Sequence, residues 1–302
     1  MISREKNTAE SGFAARLREL RRSNGLRQVD LANRLGVAQT TVANYEQAIR
    51  FPDEGTLKKI ADGFDVSLDY LLGRSEALRP GFAPATRPSG IELTAEAVEF
   101  LALLRSGRRA DAFSYVLALA HDGVPVVQIH NDVLRPALYE IGRLWESGEI
   151  GVATEHFVSY AAEAMIAQLR PFLSRAEPRG KSVVLATPGA ERHSIGLMMV
   201  SDALEQAGFD VFPVGTHVPV GEIVSIVRER AACLVALSVT LPEHLEAAGH
   251  LISAVRKNTP SVRVIVGGAV FDRDPGEHRR IGADGYAASA REAAEFAVSF
   301  CE

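Results

Sequence analysis

Cysteine is nearly missing from this chain: Cys233 and Cys301 are the only two in 302 residues. Two cysteines cannot staple a small secreted scaffold, and Cys233 lies in an apolar run that reads as a buried strand. A disulfide framework is therefore not expected, and a reducing cytoplasm is. Long hydrophobic stretches are missing as well. No apolar run reaches the roughly 20 residues that cross a bilayer, and the polar stretch Met1 to Ser11 has no secretory core. No membrane partner is expected. Internal repeats and low-complexity tracts are also absent. So are the short motifs of common enzymes: there is no Gly-x-Ser-x-Gly, no Walker loop and no His-Glu-x-x-His. The reading is that of a non-enzyme. The loop Pro188 to Gly196, after the first strand of the last third, is too poor in glycine for a dinucleotide fingerprint.

What is present is ordinary in amount and uneven in placement. An apolar content of 47% and a charged content of 24% suit a globular chain, and its length suits two or three domains. A net charge of −5 argues against a wholly basic nucleic-acid binder. Yet residues 1–50 hold nine Lys/Arg and five Asp/Glu, a net of +4, which leaves −9 for the remainder.

Hydrophobic periodicity divides the chain into four parts. Residues 12–74 read as five short helices, with Phe13, Leu17 and Leu20 on one stripe and Val29, Leu31, Ala32 and Leu35 on another that Gly36 ends. Residues 75–90 carry Pro80, Pro84, Pro88, Gly81 and Gly90 without periodicity, and read as a linker. Residues 91–178 are helical throughout, with breaks near Ser106-Gly107, Gly123-Val124-Pro125 and Ser147-Gly148. Four helices follow, enough for a bundle. Residues 179–302 alternate strand and helix. Strands are expected at Ser182–Thr187, Asp210–Val214, Leu234–Ser238, Arg263–Val266 and Asp284–Ala287, in a five-stranded parallel sheet with right-handed crossovers. The expected fold is multidomain: an all-α domain, a four-helix bundle and a flavodoxin-like or Rossmann-like α/β domain.

The helix from Gln28, the turn at Gly36-Val37 and the helix from about Gln39 form a helix-turn-helix, whose second helix enters the major groove of double-stranded DNA. The residues Gln28, Leu31-Ala32, Gly36-Val37, Glu46, Pro52, Leu57 and Ile60-Ala61 resemble the phage-repressor (Xre/Cro) family. That resemblance implies base reading by Gln39, Thr40 and Asn44 and backbone contact by Gln28 and Thr41. Amide side chains suit the paired donor and acceptor of adenine. Ala48 stands where the family has glycine, so a differently shaped turn is expected there. A five-helix domain used for protein contacts is the other reading. Arg16, Arg18, Arg21, Arg22 and Arg27 read equally as phosphate contacts or as a solvated face. One such module binds weakly alone, so a homo-oligomer, a dimer or tetramer, is expected.

Three short signals mark the last third: Glu191-x-His193-x-x-Gly196, then Ser238-Val239-Thr240, then Gly267-Gly268. Between them lie 41 residues (197–237) and 26 residues (241–266). Each falls where a strand ends, at the edge of an open sheet where ligands bind. A histidine beside a carboxylate is a metal-ligating arrangement in which the carboxylate fixes the tautomer. This pattern resembles the cobalamin-binding domains of methionine synthase, mutases and cobalamin photoreceptors, with Thr240 where leucine is usual. The resemblance implies cobalamin as cofactor, with His193 as an axial ligand of cobalt, Glu191 orienting it and Ser238 closing the relay. Gly196, Gly267 and Gly268 would allow close backbone approach, and Ser238 and Thr240 would offer hydroxyls. His217, His244, His250 and His278 lack such support and read as surface residues.

The helical segment adds Trp145, nine residues, then Glu155-His156. This pattern is similar to that of the CarH/LitR-type photoreceptors, and implies adenosylcobalamin with Trp145 over its upper ligand and Glu155 and His156 at the adenosyl group. A core tryptophan with a surface Glu-His pair is the other reading. Those photoreceptors place histidine directly after the tryptophan; here Glu146 stands there, so a light state with two histidine ligands is unavailable from that position. The function implied is a transcriptional regulator that senses light or cobalamin and controls DNA binding. Two alternatives stay open: a haem- or bilin-binding sensor on the same fold, since His193 could ligate iron, and a corrinoid protein that carries methyl groups.

Overall fold

The N-terminal apolar stripes close on one another to form a helical domain. The computed structural model describes residues 2–64, 66, 68–72 and 91–301, so the linker expected at 75–90 lies outside the described residues. Helices α1 (Ile2–Ser23), α2 (Gln28–Leu35), α3 (Gln39–Glu46), α4 (Glu54–Phe64) and α5 (Leu68–Leu71) follow in order. Phe13, Leu17, Leu20, Leu31, Leu35, Val42, Tyr45, Ile60 and Leu71 make their common core. Gly36 ends α2 with a left-handed φ of 71° and so turns the chain into α3. The turn after α3 keeps that same backbone form without glycine: Ala48 holds a φ of 55°. An L-residue pays sterically there, so Ala48→Gly is expected to stabilise the domain by about 0.5–1 kcal/mol after allowing for glycine's looser unfolded state. Urea unfolding checks this through a higher midpoint at constant slope; a lower midpoint would mean that Ala48 bears no such strain.

The second unit opens with the bundle. Helix α6 (Ala95–Arg105) is capped by Thr94, whose hydroxyl accepts from Ala97 N at 3.1 Å and donates to Asp132 O at 2.6 Å. After it come α7 (Arg109–His121), α8 (Val126–Ile129), a π-helical turn at His130–Leu134, α9 (Arg135–Glu146) and α10 (Val152–Leu169). The π turn has a local cause. Pro136 has no N–H to donate and its ring crowds the carbonyl four residues back, so the helix widens ahead of it and continues as α9. The expected breaks at Gly107, Gly123 and Gly148 are left-handed turns with φ of 77°, 88° and 75°.

The sheet is five-stranded and parallel, in the order β2-β1-β3-β4-β5. Its strands are β1 (Ser182–Ala186), β2 (Asp210–Gly215), β3 (Leu234–Ser238), β4 (Arg263–Gly267) and β5 (Gly285–Tyr286). Its helices are α11 (Ile195–Gln206), α12 (Val220–Glu229), α13 (Leu245–Asn258), the short α14 (Ala269–Arg273) and α15 (Glu277–Arg280), and α16 (Ala290–Phe300). Alternate strand residues serve opposite faces: Val183, Leu185 and Ile265 meet α11 and α16, while Val184, Val235 and Val264 meet α12 and α13. Chain order reverses between β1 and β3, which makes the crevice at their carboxyl ends the switch point for ligand binding. Met199, Ala203 and Ala290 join the bundle's core, so the bundle packs on the α11–α16 face. Among the described residues no helix is long and apolar enough to cross a membrane.

One expectation is overturned. Cys233, just before β3, and Cys301, just after α16, form a disulfide across 68 residues of sequence, with Cα atoms 5.6 Å apart. A strand start and a helix end far apart in sequence meet at the same lower rim of the sheet, which no local pattern reveals.

Where bundle meets sheet, two buried groups face each other. His130 Nε2 lies 3.6 Å from Asp202 Oδ2 and both side chains are fully buried. Arg170 binds Asp202 and also Glu205, which Arg175 binds in turn. Burial pushes His130 down from 6.5 to about 4. It pushes Asp202 up from 3.8 to about 6, against the pull of Arg170. As pH falls from 6.5 towards 4 the unfolded chain takes up a proton that folded His130 refuses, so stability is lost. As pH falls through 6 folded Asp202 takes up a proton that the unfolded chain does not, so stability is gained. The two trends oppose each other. Asp202→Asn removes the second, and its deficit relative to the parent should grow by on the order of 3 kcal/mol between pH 7 and pH 4. Urea unfolding at both pH values measures it, and a constant deficit would contradict this account.

Candidate functional site

The site is built at the switch point, where the loop after β1 turns into α11. Glu191 is fully buried and is the hub of the loop. Its Oε1 accepts from the backbone N–H groups of Arg192 at 3.0 Å and His193 at 3.1 Å and from the Nδ1 of His193. Its Oε2 accepts from the backbone N–H groups of Thr240 at 2.8 Å and Leu241 at 3.2 Å, in the loop after β3. Burial by itself would raise this carboxyl; the hydrogen bonds from His193 and Thr240 overcome that and hold Glu191 at about 2. It is therefore ionised at neutral pH, with both oxygens engaged by directed donors. Thr187 Oγ1 donates to Glu191 O at 3.0 Å and fixes the backbone beneath it.

The consequence falls on His193. With Nδ1 engaged, Nε2 is left as the outward nitrogen, on a side chain 55% exposed. A neutral imidazole whose inner N–H is held by a buried carboxylate presents a lone pair to whatever stands at the sheet edge. This is the donor set a corrinoid cobalt needs on one face.

The expected members of the site are placed as follows. Glu191, His193 and Thr240 come together, but Thr240 contributes its backbone N–H rather than its hydroxyl. Ser238 does not close the relay; the backbone amides of Thr240 and Leu241 hold the second carboxylate oxygen instead. Ser238 is buried and its Oγ would lie 3.6 Å from a Cβ placed on Gly196, an ordinary contact. Gly267 and Gly268 do permit close approach, though to neighbouring backbone. A Cβ on Gly267 would come within 2.9 Å of Ala287 O, and one on Gly268, at a φ of 112°, within 2.3 Å of Val239 O. These glycines draw the ends of β3, β4 and β5 together and so shape the rim.

Trp145 is half-buried as the last residue but one of α9, and Glu155 and His156 are the fourth and fifth residues of α10. Glu155 binds His156 Nδ1 at 2.6 Å and Ser159 Oγ at 2.7 Å. That leaves the His156 side chain 74% exposed. His217 and His250 are exposed, whereas His244 and His278 are half-buried.

On α3, Gln39 and Thr40 are exposed, and Thr41 and Asn44 half-buried. Gln28 commits one amide hydrogen to buried Glu46 at 3.0 Å. The arginines of α1 turn inward more than either sequence reading allowed: Arg21 grips Glu46 at 2.5 and 3.1 Å and Leu26 O at 2.7 Å, and Arg18 binds Glu46 O at 2.6 Å. Arg16 binds Tyr70 O, and Arg27 pairs with Asp30.

Residues 181–295 match the family model described as B12 binding domain, residues 97–170 match a second model of that description, and residues 17–71 match the helix-turn-helix model. Over 176 residues the chain is 28% identical to dimethylamine corrinoid protein 3 of Methanosarcina acetivorans, covering 56% of this chain and 80% of that one. Over 165 residues it is 31% identical to the HTH-type transcriptional repressor CarH of Myxococcus xanthus, covering 54% of this chain and 52% of that one. Over 61 residues it is 41% identical to the HTH-type transcriptional regulator ImmR of Bacillus subtilis, which is 20% of this chain and 48% of that one. The fold of a monomethylamine corrinoid protein from Methanosarcina barkeri superposes with a TM-score of 0.60 at 20% identity, covering 67% of this chain and 96% of that one. The tetrapyrrole these matches point to is cobalamin, not haem or bilin.

Proposed function

From the premise that this chain is a cobalamin-binding helix-turn-helix regulator of the CarH type, we propose that adenosylcobalamin at its sheet edge controls its binding to an operator in double-stranded DNA, in response to light or to cobalamin supply. One observation carries the proposal: a buried Glu191 carboxylate holds Nδ1 of His193 at the switch point and leaves Nε2 of that exposed ring as the second donor nitrogen. His193 would hold the cobalt, Trp145, Glu155 and His156 would contact the cofactor from the bundle, and Gly196, Ser238, Thr240, Gly267 and Gly268 would line the sheet edge beside it. When bound, adenosylcobalamin supplies a cobalt–carbon bond that visible light breaks.

The chain's own part is to convert occupancy into a shift between two states. Bundle and sheet share a core through Met199, Ala203 and Ala290, and a ligand touching both biases that contact only if it binds one arrangement better. Gln39, Thr40 and Asn44 read bases, and Gln28 and Thr41 hold the backbone. The parts divide as 12–74, 75–90, 91–178 and 179–302, in a cytoplasmic, non-enzymatic homo-oligomer, a dimer or tetramer. A second reading, a corrinoid methyl carrier, draws on the 28% identity to a dimethylamine corrinoid protein over 80% of that protein's length.

The test is an absorption spectrum of the full chain reconstituted with adenosylcobalamin, before and after green light, with operator retention on a gel measured in both states. A corrin spectrum whose change alters retention is expected. Methyl transfer to a thiol acceptor without any DNA retention would favour the second reading, and a chain that takes up no corrinoid would end both.

A further inference from the structure

The helix that carries Trp145 is bolted to the loop that begins at Gly267–Gly268. Helix α14 starts directly after Gly268, and its Asp272 side chain is only 5% exposed. One carboxylate oxygen accepts from Tyr139 Oη and, at 3.3 Å, from Arg135 Nη2, both on α9. The other accepts from Tyr286 Oη, at the end of β5. Arg135 also lies over the Tyr139 ring, 5.3 Å from its centre. Burial, reinforced by the Asp272 charge, pushes both phenols up, so each keeps the proton it donates. A carboxylate gripped by one guanidinium and two phenols in a dry site is a directional clamp, because charge-assisted hydrogen bonds are short and strong.

The clamp lies close in sequence to both halves of the site. Tyr139 precedes Trp145 by six residues of α9, roughly 9 Å of helix rise. Asp272 follows Gly268 by one helical turn. Any tilt of α9 that moved Trp145 relative to the sheet edge would have to break these bonds or carry α14 along. Neither Tyr139 nor Asp272 was legible as functional in the sequence; the i, i+4 spacing of Arg135 and Tyr139 was the single local sign.

We propose that Asp272 is a positioning residue of the cofactor site, which fixes α9 so that Trp145 stands at the height a bulky upper ligand requires. This rests on the cobalamin reading above. The experiment uses the full chain and the variants Asp272→Asn and Tyr139→Phe, the second guarding against a misfolded first. Trp145 is the one tryptophan in the sequence, so acrylamide quenching of its fluorescence without cofactor reports the clamp directly. Quenching is expected to rise about twofold in both variants, and the preference for adenosylcobalamin over methylcobalamin to fall about tenfold. Unchanged quenching in both variants overturns the clamp, whatever the cofactor does. Raised quenching with an unaltered preference reduces Asp272 to a structural residue and overturns the proposal. A parent chain that binds neither corrinoid defeats the cobalamin reading itself, and the role of Asp272 with it; the quenching result tells that failure from failure of the clamp.

Discussion

Glu46→Ala is expected to remove most of the stability of the helix-turn-helix domain. Glu46 ends α3 with a side chain 2% exposed, and three partners converge on it: Arg21 through two nitrogens, Gln28 through its amide, and Arg18 through the Glu46 carbonyl and, at 3.8 Å, the carboxylate. Removing the carboxylate leaves the Arg21 guanidinium, 11% exposed, without a counter-charge. Breaking a buried pair from one side costs about 3–5 kcal/mol, because the surviving charge stays desolvated. A domain of this size is stable by only several kcal/mol, so most of that margin disappears. Limited proteolysis should cut within residues 17–71 at least a hundredfold faster, and operator retention should be lost. Glu46→Gln, which keeps the shape and one acceptor, should fall between. An alanine variant within about 1 kcal/mol of the parent would show that the network is ornamental. The pH trend has the same sign. Burial opposes ionisation of Glu46, but Arg21 and Gln28 outweigh it and hold the carboxyl below its usual 4.5. Its contribution is therefore present above that value and lost as pH falls below it.

This network also shows where reading the sequence stops. The stripes of Phe13, Leu17 and Leu20 and of Leu31, Ala32 and Leu35 are local patterns and form the core, whereas Val29, read on the second stripe, stays half-buried outside it. Strand ends were legible because the apolar runs stop where the sheet edge begins, and the bundle's breaks because glycine alone takes a left-handed turn cheaply. Arg21 and Glu46 are another matter. Their pairing joins α1 to α3 across 25 residues, and a row of arginines on a helix looks alike whether it meets phosphate, water or a buried carboxylate. The disulfide between Cys233 and Cys301 is non-local in the same way.

At the candidate site the division is finer still. The spacing of Glu191, His193, Ser238 and Gly267-Gly268 marks three loops that the fold does bring to one edge. The partner of the second carboxylate oxygen was misread, since a serine hydroxyl is visible in a sequence and a backbone N–H is not. Val239, Thr240 and Leu241 each offer a backbone N–H and Pro242 offers none; the fold commits Val239 to Gly267 O and turns the other two to Glu191. The Ala48 turn gives the converse case. An alanine there takes the left-handed φ that glycine takes cheaply, and the hydrogen bonds of Ala48 N to Tyr45 O and Ile49 N to Asn44 O close the turn.

Glu191→Gln should weaken corrinoid binding by about 10–100-fold, the usual cost of losing the group that orients a metal-ligating histidine. The loss comes from where the protons sit. In the parent, four backbone N–H groups and the Nδ1–H of His193 all donate to a carboxylate that has only acceptors. Glutamine keeps one acceptor oxygen and brings two donors. If its oxygen stays with Thr240 and Leu241, its NH2 faces Nδ1 of His193, which must then accept. The imidazole proton moves to Nε2, the nitrogen that should meet cobalt, and a protonated nitrogen has no lone pair to give. If the amide is turned the other way, its NH2 opposes the N–H groups of Thr240 and Leu241 and the β3 loop is pushed off the β1 loop. Either outcome removes the ligand geometry with no change at His193 itself. Nitrogen NMR of the imidazole separates the cases by showing which ring nitrogen bears the proton, and a titration followed in the corrin absorption bands gives the affinity. His193→Ala supplies the limit, since it removes the ligand outright. A glutamine variant that binds like the parent, with Nδ1 still protonated, would mean that the loop and not the carboxylate sets the tautomer.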